Sequence, residues 1–388
     1  LFIKEISIEN FRNIQSVNIF PSKRINFFIG ENGQGKSNLL EAIYANIRGK
    51  SFRTYSVRKD WIPNGSHNTR TQIRLKSEDN LGFENDFALG SELKSSLIWK
   101  FTINQKASSP KSFKNRISAI VFSPDDHELI RGPAEKRREF LDDLLCDICP
   151  GYEEVLYRFE KALKERNKII RLLKTQDPLK TPSWSSEIET WSQILSKEAF
   201  QLVMLRKELW PQLESRFSRV ALERGGFSDQ IVRAHYHADG FGRIIENKTT
   251  PRAQDFYEAL KNSFSTDMAT GWTHRGPHRD DIQIVFGDLD GKTQASQGQS
   301  RVLAFLLKWM HAEWVKDVQN EYPILLLDDF SSELDKHRRA QLLELITRTE
   351  GQVFLTATEL LSVDFSSLSE YTYFKVQKGN FIQEKPVL

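Results

Sequence analysis

The sequence predicts an α/β fold built on mixed sheets and interrupted by a long helical insertion. Three observations carry this. A short apolar run, Ile25-Asn26-Phe27-Phe28-Ile29, stops at a glycine-rich loop and is followed by helical spacing. A second apolar run, Ile324-Leu325-Leu326-Leu327, ends in Asp328-Asp329. Between them, the stretch from Ala134 to about Glu223 reads as helix almost throughout.

Length and composition set the outer bounds. The chain has 388 residues, 55 Lys+Arg against 52 Asp+Glu, and two cysteines. That length suits one large domain or two moderate ones with a substantial core. No stretch approaches the roughly 20 uncharged apolar residues of a spanning helix, so no membrane-spanning helix and no membrane partner are expected. Cys146 and Cys149 are the only thiols, too few for a disulfide scaffold. The net charge of +3 leaves any basic surface to local segregation of charge. Leu1-Phe2-Ile3-Lys4-Glu5 lacks the charged start, apolar core and cleavage site of a secretory signal, so a cytoplasmic location is expected.

Residues 1 to about 30 read as strands. Phe2, Ile6 and Ile8, then Ile14, Val17 and Ile19, sit in short runs with polar neighbours, parted by Glu9-Asn10-Phe11-Arg12-Asn13. Ile25 to Ile29 fits a buried strand. Helical spacing runs from Asn38 to Tyr44, and more strands with polar turns fill residues 70 to 122. The character changes near Ser123-Pro124-Asp125-Asp126. Phe140, Leu141, Leu144 and Leu145 then form one helical face. Leu156, Phe159, Leu163 and Ile170 form another after a break at Pro150-Gly151. A third helix runs from about Ser185 to Leu222, and Pro211 is expected to kink or divide it. The segment 175–183, with its two prolines, is a natural hairpin connection. Mixed structure returns after Gly271: a strand at Ile282 to Phe286, a helix from about Gln299 to Lys316, and strands at Ile324 to Leu327 and Val353 to Thr356. The expected segments are therefore 1–122 and 271–388, two parts of one α/β domain, with 123–270 as a helical arm.

Gly30-Glu31-Asn32-Gly33-Gln34-Gly35-Lys36-Ser37 matches the phosphate loop G-x-x-x-x-G-K-[ST], with Asn38 continuing into the helix. The glycines let the backbone turn, and successive N–H groups with the helix N-terminus suit an anion. Lys36 is the residue for β- and γ-phosphates, and the Ser37 hydroxyl is a ligand for Mg²⁺. Asp328 fits the carboxylate that holds Mg²⁺ through its water shell, and Asp329 the one that polarises an attacking water. Ser296-Gln297-Gly298-Gln299 opens a helix about 30 residues earlier. Ser296 is a cap with a hydroxyl to offer, Gly298 permits close backbone approach, and the dipole favours a second phosphate.

These elements, in this order, resemble an ABC-type ATPase head, with Ser296, Gly298 and Gln299 in its signature motif and Ser331-Ser332-Glu333-Leu334-Asp335 as its D-loop. Glu9-Asn10-Phe11-Arg12-Asn13 is similar to the opening of the SMC and RecF branch. Phe122-Ser123-Pro124-Asp125-Asp126, Arg131-Gly132-Pro133 with Arg137-Arg138-Glu139-Phe140-Leu141-Asp142, and Gly276-Pro277-His278-Arg279-Asp280-Asp281 narrow the resemblance to the RecF family. The resemblance implies an ATP-dependent DNA-binding protein of recombinational repair and replication, with ATP and Mg²⁺ as cofactors. It also implies a weak, DNA-stimulated ATPase with Asp329 and Lys36 as catalytic residues. The expected partners are double-stranded, single-stranded and gapped DNA, a second copy of the chain joined through ATP, RecR and RecO, and indirectly RecA.

The sequence departs from the ABC pattern at Thr356-Ala357-Thr358-Glu359, where most heads carry a switch histidine, and a threonine hydroxyl is the candidate replacement. Asp125 or Asp126 lies where the metal-sensing glutamine belongs. A transporter ATPase subunit would carry both missing residues. An SMC-like tether would need sustained heptads and a hinge, and neither is present. Cys146-Asp147-Ile148-Cys149 lacks the second ligand pair of structural zinc. His274, His278, Arg279, Asp280 and Asp281 read as a strand entry with internal salt bridges. Basic residues gather in the arm at Lys136, Arg137, Arg138, Lys161, Lys164, Arg166, Lys168, Arg171 and Lys174. Lys161, Lys164 and Lys168 share one helical face, a candidate for DNA phosphates.

Overall fold

The structure, a computed structural model, describes the chain except for residues 54–55, 57, 64–70, 80–81, 94–96, 110–116, 175–185, 226–230, 239–240, 242–250, 330–335, 360–367, 369 and 385–388. The chain begins with strands β1 (Phe2–Phe11), β2 (Ile14–Ile19) and β3 (Ile25–Ile29) and helix α1 (Lys36–Arg48). Strands β4 (Gln72–Glu78), β5 (Glu84–Leu93), β6 (Leu97–Ile103), β7 (Lys106–Ser108) and β8 (Ala119–Phe122) follow. The middle is helical: α2 (Ala134–Ile148), α3 (Tyr152–Lys174) and α4 (Ser186–Arg224), then strand β9 (Val232–His237) and helices α5 (Ala253–Asn262) and α6 (Phe264–Thr270). After β10 (Asp281–Phe286) and β11 (Leu289–Asp290) come α7 (Gln297–Gln319), β12 (Ile324–Leu327), α8 (Lys336–Arg348), β13 (Val353–Ala357), β14 (Tyr371–Gln377) and β15 (Asn380–Glu384).

Two compact units divide the chain: Leu1–Asp126 with His311–Leu388, and His127–Met310. The first holds two sheets. One is antiparallel in the order β2-β1-β4-β5-β6-β7. The other runs β15-β14-β3-β13-β12-β8, with β14 to β8 parallel and only β15 antiparallel. β4 alternates buried and half-buried residues, as one covered face requires. β3 is buried at every position because β14 and β13 flank it and both faces are covered. Phe28 stacks on Phe374 with ring centroids 4.9 Å apart, and Leu39, Leu40 and Ile43 of α1 join the same core.

In the second unit α3 packs along α4, a 39-residue helix of about 58 Å. Pro211 neither ends nor divides α4. The proline is exposed, and the buried flank of Leu202, Leu213 and Phe217 on either side outweighs the roughly 3 kcal/mol that one lost N–H costs.

Two features differ from the sequence reading. A strand, β9, lies inside the segment expected to be helical, because Val232 to Phe286 closes a three-stranded sheet by pairing β9 with β10. Residues 271–310 also belong to the compact unit that holds the helices. Arg137 forks onto Asp281, Arg206 reaches Asp280, and Arg166 is buried against Asp267. The second boundary between compact units therefore falls within α7, at Met310/His311.

Candidate functional site

The loop Gly30 to Ser37 joins β3 to α1. Gly35 is the N-cap at φ 109° and Gly33 sits at φ 77°, both left-handed conformations that favour glycine. A Cβ on Gly30 would lie 2.3 Å from the Val376 carbonyl oxygen, so that position also requires glycine. Gln34 ties the loop to the β14–β15 turn: its side-chain oxygen accepts from the Lys378 N–H at 2.6 Å and its carbonyl from Gly379 at 2.8 Å. Glu31, Asn32 and Gly33 are exposed at the loop tip. Lys36 is only 6% exposed, and its ammonium donates to the carbonyls of Gly30 and Glu31 at 2.5 and 2.8 Å. Burial pulls the Lys36 ammonium below its usual range, while Asp329 and Asp328 pull it back up.

The carboxylates arrive from a nearby strand of the same sheet, in the order β3-β13-β12. Asp328 follows β12, and its N–H donates to the Phe122 carbonyl at 2.7 Å. The Thr356 hydroxyl donates to its carboxylate at 2.9 Å, and the Ser37 hydroxyl lies near enough to favour its charged form. Burial raises the Asp328 carboxyl above its ordinary range despite those two hydroxyls. Asp329 turns the chain at φ 47°, and its N–H donates to the Thr356 hydroxyl at 2.8 Å. The donor set is a hydroxyl and a carboxylate facing each other beside the glycine-rich loop. Those are the oxygen ligands a hard divalent cation takes next to phosphates.

Glu41 was not singled out in the sequence. It lies on α1 one turn beyond Ser37, is fully buried, and pairs with both Arg12 and Arg53. Ser51, Ser56 and Trp61 also donate to it. Arg53 in turn donates to Asn38 at 2.7 Å, and Asn38 to Asn13 at 2.7 Å. The signal was a single carboxylate inside Leu39-Leu40-Glu41-Ala42-Ile43, an apolar run that would bury it.

Ser296, Gly298 and Gln299 belong to the other compact unit. They form a capping box at the start of α7: Ser296 Oγ accepts from the Gln299 N–H at 3.2 Å, and Gln299 Oε1 accepts from the Ser296 N–H at 2.9 Å. The Ser296 oxygen thus accepts from its own helix as the cap that the sequence predicts. The D-loop candidate Ser331 to Asp335 lies outside the described residues. Of the glutamine substitutes, Asp126 closes a turn on Ser123 and Asp125 is exposed. Cys146 and Cys149 thiols are both pushed up by burial, the opposite of a redox-active thiolate.

This fold and this loop-plus-carboxylate site define a P-loop ATPase head of ABC type. Residues 2–376 match the family described as RecF/RecN/SMC N terminal domain. The DNA replication and repair protein RecF of Shouchella clausii is 32% identical over 382 residues, spanning 98% of each chain. That of Ruminiclostridium cellulolyticum is 30% identical over 384 residues, spanning 98% of this chain and 99% of its own. The solved structure of the recombination mediator protein RecF-ATP in the RecFOR pathway matches with a TM-score of 0.85 at 25% identity, covering 99% of this chain and 98% of that one. An Smc head domain from Pyrococcus furiosus shares the fold, with a TM-score of 0.55 at 13% identity over 99% of this chain and 96% of its own. The chain belongs to the RecF family within the RecF/RecN/SMC group.

Proposed function

We infer that this chain is an ATP-dependent DNA-binding protein of recombinational repair and replication, a slow ATPase that uses nucleotide to join two copies on gapped or single-stranded/double-stranded DNA. The observation that supports this best is the convergence of Lys36 and Ser37, after β3, with Asp328, after β12 of the same sheet. Lys36 and the N–H groups of Gly33 to Asn38 hold the β- and γ-phosphates. Ser37 and Asp328 hold Mg²⁺, which when bound neutralises phosphate charge. Asp329 orients and polarises the attacking water. Ser296, Gly298 and Gln299 of a second copy close the site, a self-complementary arrangement with two equivalent nucleotides. The γ-phosphate adds contacts that favour the joined state and hydrolysis removes them.

The relatives named for RecF and the RecFOR pathway support a place beside RecO and RecR, upstream of RecA loading. Full-length matching to RecF proteins argues against a transporter subunit, and α4 at 39 residues is too short for an SMC tether.

The test is the mass of the particle in solution by light scattering, with and without ATP. Wild type should pair in ATP and separate as it hydrolyses. Asp329→Asn should give a pair that persists. Ser296→Arg should bind ATP by calorimetry yet stay single. A wild type that stays single in ATP, or a Ser296→Arg variant that pairs normally, overturns the reading.

A further inference from the structure

Thr356 lies on β13, the strand between the phosphate-loop strand β3 and the carboxylate strand β12. The parallel register Leu325↔Val353, Leu326↔Phe354, Leu327↔Leu355 puts Thr356 level with Asp328, one step past the last pair. On the other side Thr356 pairs with Phe28, and the next residue, Ala357, accepts the Gly30 N–H at 3.2 Å. Its side chain is fully buried. A buried hydroxyl has one proton and two lone pairs, and here it both donates and accepts, to the two adjacent acids. Its oxygen accepts the Asp329 N–H at 2.8 Å, and its proton goes to Asp328 Oδ1 at 2.9 Å.

The Asp329 backbone makes this more than a core hydrogen bond. Asp329 sits at φ 47°, a conformation that L residues adopt at some cost. Something must hold it there, and the hydroxyl clamps its N–H. The same hydroxyl fixes the rotamer of the preceding carboxylate. One side chain therefore sets the direction of both acids relative to the loop.

We propose that Thr356 is the positioning residue of this site: its hydroxyl aims Asp329 at the water and Asp328 at the cation, and it does not itself reach the nucleotide. This takes Thr356 out of the expectation that a threonine here senses the γ-phosphate, because its hydroxyl is already committed on both sides, and leaves that expectation to Thr358, exposed just past β13. The inference rests on the roles given to Asp328 and Asp329 above.

The experiment is single-turnover ATP hydrolysis together with ATP titration calorimetry and thermal unfolding. Thr356→Val keeps shape and removes the clamp. It should lower the hydrolysis rate about 10- to 100-fold, the worth of hydrogen bonds around a charged group, while the ATP dissociation constant moves less than about threefold. Thr356→Ser should recover most of the rate. On an Asp329→Asn background, Thr356→Val should cost clearly less than it does in the wild type, since one of the two acids it aims is already disabled. An unchanged rate in Thr356→Val overturns the proposal. So does an ATP affinity that falls in step with the rate, which would make the hydroxyl a nucleotide contact. If Thr356→Val and Thr356→Ala both unfold while Thr356→Ser is intact, the hydroxyl serves the fold and the proposal also fails. Failure of the underlying reading looks different: Asp329→Asn would then turn over ATP like wild type.

Discussion

Two Asp–Asp pairs stand at strand ends in this molecule, and their surroundings are opposite. Asp280 and Asp281 open β10. Asp280 is buried against Arg206 and the Tyr236 hydroxyl, and Asp281 takes a two-pronged contact from Arg137 at 2.6 and 2.9 Å. Burial alone would raise Asp281, but the Arg137 fork outweighs it and holds the acid below its usual range. Asp328 and Asp329 follow β12. Asp328 meets hydroxyls, from Ser37 and Thr356, and burial raises it. The first pair has its cations built into the chain and is committed to the fold. The second is hydrogen-bonded by the neutral Thr356, with the Lys36 and Arg53 charges acting on it without a direct ion pair to Asp328 among the described contacts.

The sharpest way to break that contrast is to remove one cation from each place. Arg206→Ala leaves Asp142 and Asp280 without their buried partner. It should cost about 3–5 kcal/mol of stability in urea unfolding, as loss of one member of a buried pair does. Lys36→Ala should change stability by less than about 1 kcal/mol and weaken ATP binding roughly 100-fold or more, since its charge is there for a ligand. If Lys36→Ala unfolds the protein, or Arg206→Ala melts like wild type, the distinction between committed and available charge fails.

A pH scan sharpens the same contrast with a somewhat smaller effect. His278, two residues before Asp280, is held to about 4 from an ordinary 6.5, chiefly by burial and then by Arg279 and Arg138, against the Thr273 carbonyl that favours its charged form. The unfolded chain takes up the proton from pH 6.5 downward, and the folded one only near pH 4. Stability is therefore full above pH 6.5 and is lost as pH falls toward 4, by up to about 3 kcal/mol. Asp281 adds to the loss only below its unfolded value of 3.8, outside that window. A His278→Gln variant should show a flatter profile between pH 6.5 and 4 in thermal unfolding. An identical slope would mean that other groups carry the effect.

How much of this could be read beforehand follows from whether partners are near in sequence. The phosphate loop was legible because its chemistry is contiguous: three glycines, a lysine and a serine between one strand and one helix. Asp328 was legible because four apolar residues precede it. The capping box at α7 was also spelled out, as Ser296 and Gln299 three apart. Asp280 and Asp281 were legible as a strand entry held by salt bridges, but not their partners, Arg137 and Arg206, which lie 144 and 74 residues away. Glu41 was opaque for the same reason, with partners at Arg12, Ser51, Arg53, Ser56 and Trp61. β9 was missed because Val-Arg-Ala-His-Tyr-His has too little apolar content to stand out, and it becomes a strand only through pairing with β10.

The arm divides its basic residues by the same rule, and there the expected effect is smallest. Arg137, Arg138 and Arg166 were counted as surface charge in the sequence. They are instead engaged inside the unit, by Asp281, the Asp280 carbonyl and Asp267. Arg171 lies over the Trp272 ring at 5.1 Å and Lys174 donates to the Ala269 carbonyl. Lys161, Lys164 and Lys168 are exposed along one side of α3, at the spacing that aligns residues on a helix. Under the proposed function, these three meet DNA phosphates. Affinity measured by fluorescence anisotropy should then fall steeply with salt, and each lost contact should reduce the log–log slope by about 0.9 on duplex DNA. Lys164→Glu/Lys168→Glu should thus flatten the slope by about 1.8 per arm, with the change largest in ATP, where two arms act together. Stability should stay within about 0.5 kcal/mol of wild type, because solvated lysines hold little of the fold together. A slope unchanged in ATP on both duplex and gapped DNA would remove the arm from the DNA site. Arg53 and Arg58 are poor substitutes, since Glu41, Asn38 and the Gly49 carbonyl already hold them; Lys59, which is exposed, would be the residue to test next.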